Sequence, residues 1–463
     1  MRGFGALGEL PVGSARGAAL AALAEQSARF PDLMPMRLET GGLSGRDAAL
    51  AHAIYDGAVR RWLTLSRVVE VAGGRPISTL EPVVRAALLG GSAQLLLLDR
   101  VPDHATLDET VEWVKRAGRA KASGLVNAVL RKVIGLRGEV GGEWDDEREA
   151  IPLPDGTALW LTRDVLPEDR LKRLSVASSV PGGTIRRWAE AWGMERAEEL
   201  SLHTLVSPAT VVHTAFAREP VEGEADLAPH RSERHRVFVG EPGTLGALLE
   251  RRRDLWVQDE ASSEPVRAMA ESLDPAPGRI IDLCAGQGTK TRQLAEAFPG
   301  AEVLATDVDA GRLETLRRAF HGHGRVRVAT HAEVMERGPG WADAVLLDVP
   351  CSNTGVLARR LEARYRSVSG AGGTGQLERM VGIQREILGG AVGLVRAGGA
   401  LVYATCSLER EENEAQAAWA VSELGMRVVI ESRAWPRGVP GDGPEEYRDG
   451  SYVAVLTGPA GSA

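Results

Sequence analysis

Hydrophobic residues in the first third of the chain recur at the spacing of amphipathic helices. Between residues 45 and 137, apolar side chains return every three or four positions, as at Ala51, Ile54, Ala58, Trp62 and Leu65. Pro82 suits the first turn of an apolar helix that continues to Leu98, because a proline there loses no helical hydrogen bond. The following run adds a proline-marked turn and two further amphipathic helices. The sequence therefore predicts an all-helical domain.

The middle of the chain shows two different patterns. Residues 138–180 are rich in glycine, glutamate and proline, which is typical of a linker or an insertion. Residues 181–258 combine a tryptophan-containing helical segment, TIRRWAEAWGMERAEELSLH, with short strand-like runs such as TVVHTAF and RVFV. We expect a small α+β segment there, which leads into the next domain.

From residue 259 onward, strand-like and helix-like segments alternate. Apolar runs predict strands near residues 279, 301, 325, 342 and 400, and helical patterns separate most of them. This alternation predicts an α/β domain with a mostly parallel, doubly wound, Rossmann-like sheet. A last strand, SYVAVL at residue 451, follows Asp449 and Gly450, which favour a hairpin turn. We therefore expect an antiparallel strand pair to close the sheet.

The composition is that of a globular protein with more than one domain. The chain has 463 residues, of which 44% are hydrophobic and 25% charged, so we expect two or three domains. No apolar run reaches the roughly 18 residues of a membrane span, and the first residues lack the apolar core of a secretory signal. Only three cysteines occur, which argues against a disulfide framework. A reducing, cytoplasmic location is the expectation.

The distribution of charge leaves room for an RNA partner, although the formal net charge is −8. An acidic chain is not a simple nucleic-acid binder, because phosphate contacts require lysine and arginine. One run nevertheless carries seven cations and no acid: Lys115, Arg116, Arg119, Lys121, Arg131, Lys132 and Arg137. This basic run predicts an RNA-binding face on the helical domain, and a solvated helix face is the alternative.

The segment DLCAGQGTKT, residues 282–291, has the features of a nucleoside-binding turn. It follows a predicted strand and opens a helix, and Gly286 and Gly288 permit a tight turn with close approach of the backbone to a ligand. Asp307 ends the next strand, where a carboxylate can accept hydrogen bonds from two ribose hydroxyls. The dinucleotide and P-loop fingerprints are both incomplete. S-adenosylmethionine is therefore the predicted ligand, and an ordinary strand-to-helix turn is the alternative.

All three cysteines fall where predicted strands end. Cys284 lies in the nucleoside-binding turn, Cys351 in DVPCSNTG (348–355) and Cys406 in ATCSLEREEN (404–413). Ligands of such sheets bind at the carboxyl ends of the strands, so we expect the thiols to face one crevice. A single cysteine is usually only a small buried side chain, and a zinc site would bring paired cysteines or nearby histidines. A reactive role is favoured, and no metal is expected.

One reaction that needs such a thiol is methylation of carbon 5 of cytosine. This carbon is a poor nucleophile until a thiolate adds to carbon 6, and the methyl group of a sulfonium can then be transferred to it. Loss of the carbon 5 proton and elimination of the thiol complete the reaction. Asp348 is placed to hydrogen-bond the edge of the base, which must leave its stack to reach such a pocket.

The motifs DLCAGQGTKT, DVPCSNTG and YATCSLEREEN resemble those of the Nop/Sun family of RNA cytosine-5 methyltransferases. WVQDEASS, residues 256–263, is similar to the stretch that leads into that family's catalytic domain. LLLLDRVPDHATLDETVEWVKRAG with GLVNAVLRKV resembles the NusB-like RNA-binding domain of the RsmB/Sun type, which acts on 16S ribosomal RNA. The resemblance covers nearly the whole chain, except the first 40 residues and the stretch 138–180.

The resemblance implies roles for individual residues. Cys406 would be the nucleophile, Cys351 would help to release the product, and Asp348 would assist at the base. The residues expected on the cofactor side of the pocket are Cys284, Ala285, Gly286, Gln287, Gly288, Thr289, Lys290, Asp307, Arg312 and Asp348. The chain departs from the family in having CAGQGTK for CAAPGGK, Val349 for an alanine, and His331 where an acid near the adenine is usual.

These inferences give four expected parts: a NusB-like helical RNA-binding domain (1–137), a linker or insertion (138–180), a small α+β segment (181–258) and a Rossmann-like methyltransferase domain (259–463). The expected activity is S-adenosylmethionine-dependent methylation of carbon 5 of a cytosine in 16S ribosomal RNA by a monomer. An RNA-binding ribosome-assembly factor with weakened catalysis is the alternative. A methyltransferase of proteins or small molecules would explain the sheet but not the thiols.

Overall fold

The computed structural model describes residues 8–241, 243–366 and 375–458. The chain folds into two compact units. The helical unit contains the described residues of 1–207, together with 357–366 and 439–442. The sheet unit contains the other described residues from 208 onward.

Six helices form the core of the helical unit, which confirms that the N-terminal domain is all-helical. The Ser14 hydroxyl caps the first helix by accepting a hydrogen bond from the Gly17 N–H at 3.1 Å, and Pro82 lies in the first turn of the fourth. The fourth helix is mostly apolar and buried on all sides, and the other five pack against it. No helix in the described part of the chain is long and apolar enough to cross a membrane. The six are α1 (Ala15–Arg29), α2 (Gly45–Arg60), α3 (Trp62–Gly73), α4 (Pro82–Leu97), α5 (Asp103–Val114) and α6 (Ser123–Leu136).

The helical unit continues into a small sheet and three more helices. The stretch 138–180, expected as a linker or insertion, holds an antiparallel sheet and a helix. The single helix predicted for TIRRWAEAWGMERAEELSLH is wrong, because Gly193, at φ 85°, separates two helices. The elements are β1 (Arg137–Glu143), β2 (Ala150–Pro152), β3 (Thr157–Leu161), α7 (Arg170–Ser178), α8 (Gly182–Trp192) and α9 (Met194–His203).

A segment from far along the chain, residues 357–366, also belongs to the helical unit. Arg364 is buried and donates hydrogen bonds to the carbonyls of Arg60, at 2.7 Å, and of Thr204. The Tyr365 hydroxyl donates to the Val59 carbonyl at 2.7 Å. Burial lowers the pKa of Arg364 to about 9, and the negative ends of α2 and α9 stabilise its charge. These buried hydrogen bonds tie the segment to the helix ends.

Ion pairs with acidic side chains occupy three of the seven cations of the basic run. The pairs are Arg119–Glu81 and Arg137–Asp103, each at 2.7 Å, and Lys115–Glu112, at 3.4 Å. The exposed cations of the run for which the described residues provide no ion pair are Arg116, Lys121, Arg131 and Lys132. These four side chains define what we call the basic face.

A four-stranded antiparallel sheet begins the sheet unit. Its strands lie in the order β5-β6-β4-β7, and α11 leads from it into the larger sheet. The elements are β4 (Val211–His213), β5 (Leu227–Pro229), β6 (His235–Phe238), α10 (Thr244–Arg251), β7 (Trp256–Val257) and α11 (Glu260–Ser272).

The larger sheet has seven strands in the order β10-β9-β8-β11-β12-β14-β13. Strands β8 to β12 are parallel, and helices connect most of them, so the predicted Rossmann-like fold is confirmed. The elements are β8 (Arg279–Asp282), α12 (Thr289–Ala297), β9 (Glu302–Ala305), α13 (Ala310–Ala319), β10 (Val326–Val328), α14 (His331–Met335), β11 (Ala342–Asp348), α15 (Gln376–Val392), β12 (Val395–Thr405), α16 (Glu414–Leu424), β13 (Arg427–Ala434) and β14 (Ser451–Thr457).

The sheet closes with an antiparallel pair, as expected, but not through a tight hairpin. Strand β14 runs antiparallel to both β12 and β13. Residues 435–450 link β13 to β14, so the two-residue turn predicted at Asp449 and Gly450 is wrong. Strand β13 was not predicted, because an exposed edge strand lacks the continuous apolar run of a central one.

Two buried histidines lie opposite each other in the small sheet. His213 on β4 pairs with His235 on β6, with ring centroids 4.9 Å apart, and His213 stacks on Trp256 at 4.6 Å. Burial lowers the pKa of His213 to about 4 and the pKa of His235 to about 2. Both rings are therefore neutral at neutral pH.

We predict that the sheet unit loses stability when the pH falls from about 7 to about 5. The unfolded histidines, with a pKa near 6.5, take up protons that the folded rings cannot, at about 2 kcal/mol for each ring over this interval. Denaturant unfolding at several pH values measures the effect, and His213→Phe should reduce the slope. The exposed His321→Gln serves as the control. If the free energy of unfolding of His213→Phe falls with pH as steeply as that of the wild type, buried neutral His213 is not the cause of the loss.

Candidate active site

Four loops leave the large sheet at the carboxyl ends of its parallel strands. Strands β9, β8, β11 and β12 are neighbours in that order. The loop after β8 holds the nucleoside-binding turn, and Asp307 follows β9. Asp348 ends β11, and Cys406 follows β12. The fold thus gathers the predicted site residues at one edge of the sheet.

The nucleoside-binding turn uses glycine for two reasons. Gly286 and Gly288 have φ values of 58° and 92°, in the left-handed region that side chains disfavour. A Cβ at Gly288 would also lie 2.6 Å from Phe320, whereas at Gly286 nothing lies within 4 Å. Helix α12 begins at Thr289, so its amino end faces the turn. The space beside Gly286 is open for a ligand.

Asp307 holds the turn from the neighbouring strand. Its side chain is 6% exposed, and its two carboxylate oxygens accept the N–H groups of Gly286, at 3.0 Å, and Asp309, at 2.8 Å. The exposed Arg312 lies 3.9 Å from the same carboxylate. Each carboxylate oxygen retains a lone pair that can accept a hydroxyl.

Asp282 is a candidate site residue that the sequence argument missed. It is fully buried and accepts the Thr291 hydroxyl at 2.7 Å, but its Oδ1 has no hydrogen-bond partner among the described residues. Burial raises its pKa to about 7. Its position as the first residue of DLCAGQGTKT, at the end of a buried strand, was the available signal.

Lys290 and Asp348 form an ion pair between two of the loops. The Lys290 ammonium donates to Asp348 at 2.6 Å and lies 3.4 Å from the Ser262 hydroxyl. Burial lowers the pKa of Lys290, but the Asp348 carboxylate outweighs it, so the pKa lies above the usual range. Cys406 lies close enough to Lys290 to contribute to this raised pKa of Lys290.

Two of the three cysteines lie together. The sulfurs of Cys351 and Cys406 are 3.3 Å apart, and both residues are partly exposed. Asn353, at φ 62°, lies between them, with its Nδ2 donating to the Cys351 carbonyl at 2.9 Å and its Oδ1 3.4 Å from the Cys406 sulfur. Asn353 was also missed, although it lies within DVPCSNTG.

The surroundings of Cys351 and of Cys284 both favour the protonated thiol. The hydrogen bond to Cys406, together with burial, raises the pKa of Cys351 well above its usual range. Burial and then the nearby Asp282 carboxylate raise the pKa of Cys284. Cys351 is therefore held as a thiol beside Cys406, while Cys284 is an unreactive thiol in the turn. Among the residues that the structure describes, no cluster of histidine, cysteine and acidic side chains could hold a metal ion.

Comparisons with known proteins show the family to which the chain belongs. The profile of the family described as 16S rRNA methyltransferase RsmB/F matches residues 270–432, and that of the NusB family matches residues 14–135. The chain is 30% identical to ribosomal RNA small subunit methyltransferase B of Xanthomonas campestris, over 89% of each chain. It is 28% identical to the protein of that name from Serratia proteamaculans, over 86% of this chain and 87% of that protein.

A solved structure has the same fold. The crystal structure of PH0851 matches with a TM-score of 0.68 at 21% identity, covering 96% of this chain and 98% of that chain. This likeness shows the fold alone, whereas the sequence relatives and the profile over the large sheet show the family. The chain belongs to the RsmB/F family of 16S rRNA methyltransferases, whose methyl donor is S-adenosylmethionine.

Proposed function

We propose that this chain methylates carbon 5 of a cytosine in 16S ribosomal RNA, with Cys406 as the covalent nucleophile. The observation that carries the proposal is the pair of thiols 3.3 Å apart, beside the Lys290–Asp348 ion pair. A methyltransferase that acted directly on an amine or a hydroxyl would need neither thiol. The names of the relatives, which specify ribosomal RNA of the small subunit, support the substrate class.

The residues around the turn fit S-adenosylmethionine. Asp307 would accept the ribose hydroxyls, and the turn from Cys284 to Lys290 would lie against the cofactor, as would Arg312. The unpartnered Oδ1 of Asp282 is a buried acceptor suited to a cationic group. The bound cofactor supplies an electrophilic methyl group on a positive sulfonium, and the acidic side chains around the turn favour that charge.

The division of labour between the thiols follows from their surroundings. Cys406 lies within electrostatic reach of Lys290, whose ammonium would stabilise the thiolate that attacks carbon 6 of the base. The carbon 5–carbon 6 electron pair is thereby freed to take the methyl group. Asp348, charged beside Lys290, would accept a hydrogen bond from the exocyclic amine of cytosine.

Release of the product requires a proton at sulfur and the loss of one from carbon 5. We infer that the Cys351 thiol gives its proton to the departing Cys406 sulfur and that the resulting Cys351 thiolate takes the carbon 5 proton. The carbon 5–carbon 6 double bond re-forms as the carbon–sulfur bond breaks, so both thiols are regenerated. At 3.3 Å, the two sulfurs are close enough to form a direct hydrogen bond.

RNA affinity is assigned to the basic face of the helical unit. Arg116, Lys121, Arg131 and Lys132 are exposed and make no ion pair with the described residues, so they are available to phosphates. The NusB family match, over residues 14–135, covers these four residues. We propose that this face increases RNA affinity without selecting the cytosine.

The first prediction separates the two thiols. Cys406→Ala should lower the methylation rate by roughly 10⁴-fold or more and form no covalent RNA adduct. Cys351→Ala should accumulate an adduct, because elimination lacks its proton donor. Denaturing gels with nuclease treatment detect the adduct, and mass spectrometry of nucleosides detects 5-methylcytosine. The reverse pattern would make Cys351 the nucleophile, and methylation by both variants without any adduct would contradict covalent catalysis.

The second prediction concerns the cofactor. Asp307→Ala should weaken S-adenosylmethionine binding about 30-fold, because two charge-assisted hydrogen bonds to the ribose are lost. Isothermal titration calorimetry measures the change. The exposed Glu314→Ala on the following helix is the matched control and should bind as the wild type does. If all three proteins bind S-adenosylmethionine with equal affinity, Asp307 does not contact the cofactor.

The third prediction concerns the basic face. The triple variant R116E/K121E/K132E should bind RNA more weakly and show a salt-dependence slope smaller by about 2. The control R37E/R46E/R75E makes the same change of net charge at exposed positions outside the run. Titrations at several salt concentrations compare them. An equal loss of RNA affinity in both variants would indicate an effect of net charge. If neither variant loses affinity, the basic face is exposed to solvent but does not bind RNA.

A further inference from the structure

The peptide groups on both sides of Cys351 are held by buried side chains from other elements. Gln384 on α15 donates its Nε2–H to the Pro350 carbonyl at 3.0 Å, and Glu412 accepts the Ser352 N–H at 2.9 Å. The two side chains also bind each other, since Gln384 Nε2 donates to Glu412 Oε1 at 3.0 Å. We call Glu412 and Gln384 the clamp.

Glu412 belongs to the same loop as Cys406. Both lie within residues 404–413, and the Glu412 carbonyl accepts the Tyr403 hydroxyl of β12 at 2.6 Å. The Ser352 hydroxyl donates to the second oxygen of the Glu412 carboxylate. Glu412 and Gln384 are both fully buried. The clamp therefore joins the loop of one thiol to the loop of the other.

The buried carboxyl group of Glu412 is not explained by packing alone. Burying a carboxyl group is costly unless its hydrogen bonds are satisfied, and an apolar side chain would fill the space at lower cost. Burial raises the pKa of Glu412, against the opposing effect of its hydrogen bonds. The N–H and the hydroxyl of Ser352, the residue after Cys351, both donate to this carboxyl group. These hydrogen bonds fix the position of the backbone next to Cys351.

We propose that Glu412, with Gln384, is a positioning residue that sets the approach of Cys351 to Cys406. The inference rests on the proposed function of the two cysteines. Neither clamp residue touches a reacting atom in this account. Their effect is to keep the Cys351 sulfur within proton-transfer distance of the Cys406 sulfur.

Cross-linking of the two thiols in the full-length chain tests this proposal without RNA. Dibromobimane, a short bifunctional thiol reagent, should link Cys351 to Cys406 in the wild type, and peptide mass spectrometry identifies the linked pair. Glu412→Ala should slow the cross-link about tenfold, because the buried hydrogen bonds to the Cys351 loop are lost. Glu412→Gln should retain it, since the amide can accept from Ser352 N–H and donate to the Ser352 hydroxyl.

The control is the exposed neighbour Glu411→Ala, which should cross-link as the wild type does. Circular dichroism and S-adenosylmethionine binding identify the variants that fold. If Glu412→Ala does not fold, Glu412→Asp replaces it, because its carboxylate is one methylene too short to reach Ser352, and the same loss is expected. Wild-type cross-linking in a folded Ala or Asp variant would overturn the proposal, as would equal slowing in Glu411→Ala.

A second measurement separates this proposal from the cytosine chemistry. With RNA present, Glu412→Ala should prolong the life of the covalent adduct, and Glu412→Gln should restore its turnover. A chain that cross-links as expected but forms no RNA adduct in any variant supports the clamp and contradicts the proposed function. An adduct whose lifetime is the same in wild type and Glu412→Ala contradicts the clamp alone.

Discussion

Parallel pairing of the three central strands is the constraint on which the candidate active site depends. In the sheet, Leu346 of β11 lies opposite Asp282 of β8, and Asp348 lies opposite Ala404 of β12. Because the strands run in the same direction, their loops leave from one edge and bring distant motifs together. A register shift of one residue would turn each side chain to the opposite face of the sheet. The ion pair and the thiol contact follow from this register.

Electrostatics then divide the site into two parts. Around the turn, buried or half-buried carboxylates outnumber the single ammonium of Lys290, and burial raises the pKa of Asp282 to about 7. This part suits a cationic cofactor. At the neighbouring strand end, Cys406 lies within electrostatic reach of Lys290, while contact with Cys406 and burial raise the pKa of Cys351. Because the thiolate is the nucleophilic form of cysteine, a Cys351 that is held as a thiol is suited to assist beside the nucleophile and not to be it.

The features that could be predicted from the sequence are those that depend on neighbouring residues in the chain. Helical periodicity, the strand-to-helix turn and the placement of cysteines at strand ends depend on residues close together in the chain, and the fold and the family are confirmed. Other features depend on partners far apart. The acids that neutralise Arg119 and Arg137 lie outside the basic run, and Gln384 reaches Pro350 from a helix that carries no motif. The helical unit takes in residues 357–366 through hydrogen bonds to backbone carbonyls, which leave no pattern in the sequence. The four-part domain division and the role of each site residue stay predictions.

Covalent attack by Cys406 on carbon 6 of cytosine is the central claim, and RNA containing 5-fluorocytosine tests it most directly. Fluorine at carbon 5 cannot leave as a proton, so the wild-type chain should stop at the methylated covalent adduct when S-adenosylmethionine is present. Digestion with protease and nuclease, followed by mass spectrometry, locates the modified peptide. The account predicts a methylated fluorocytidine on the peptide that contains Cys406. The same adduct on the Cys351 peptide, or turnover of the RNA with no adduct on either, would contradict it.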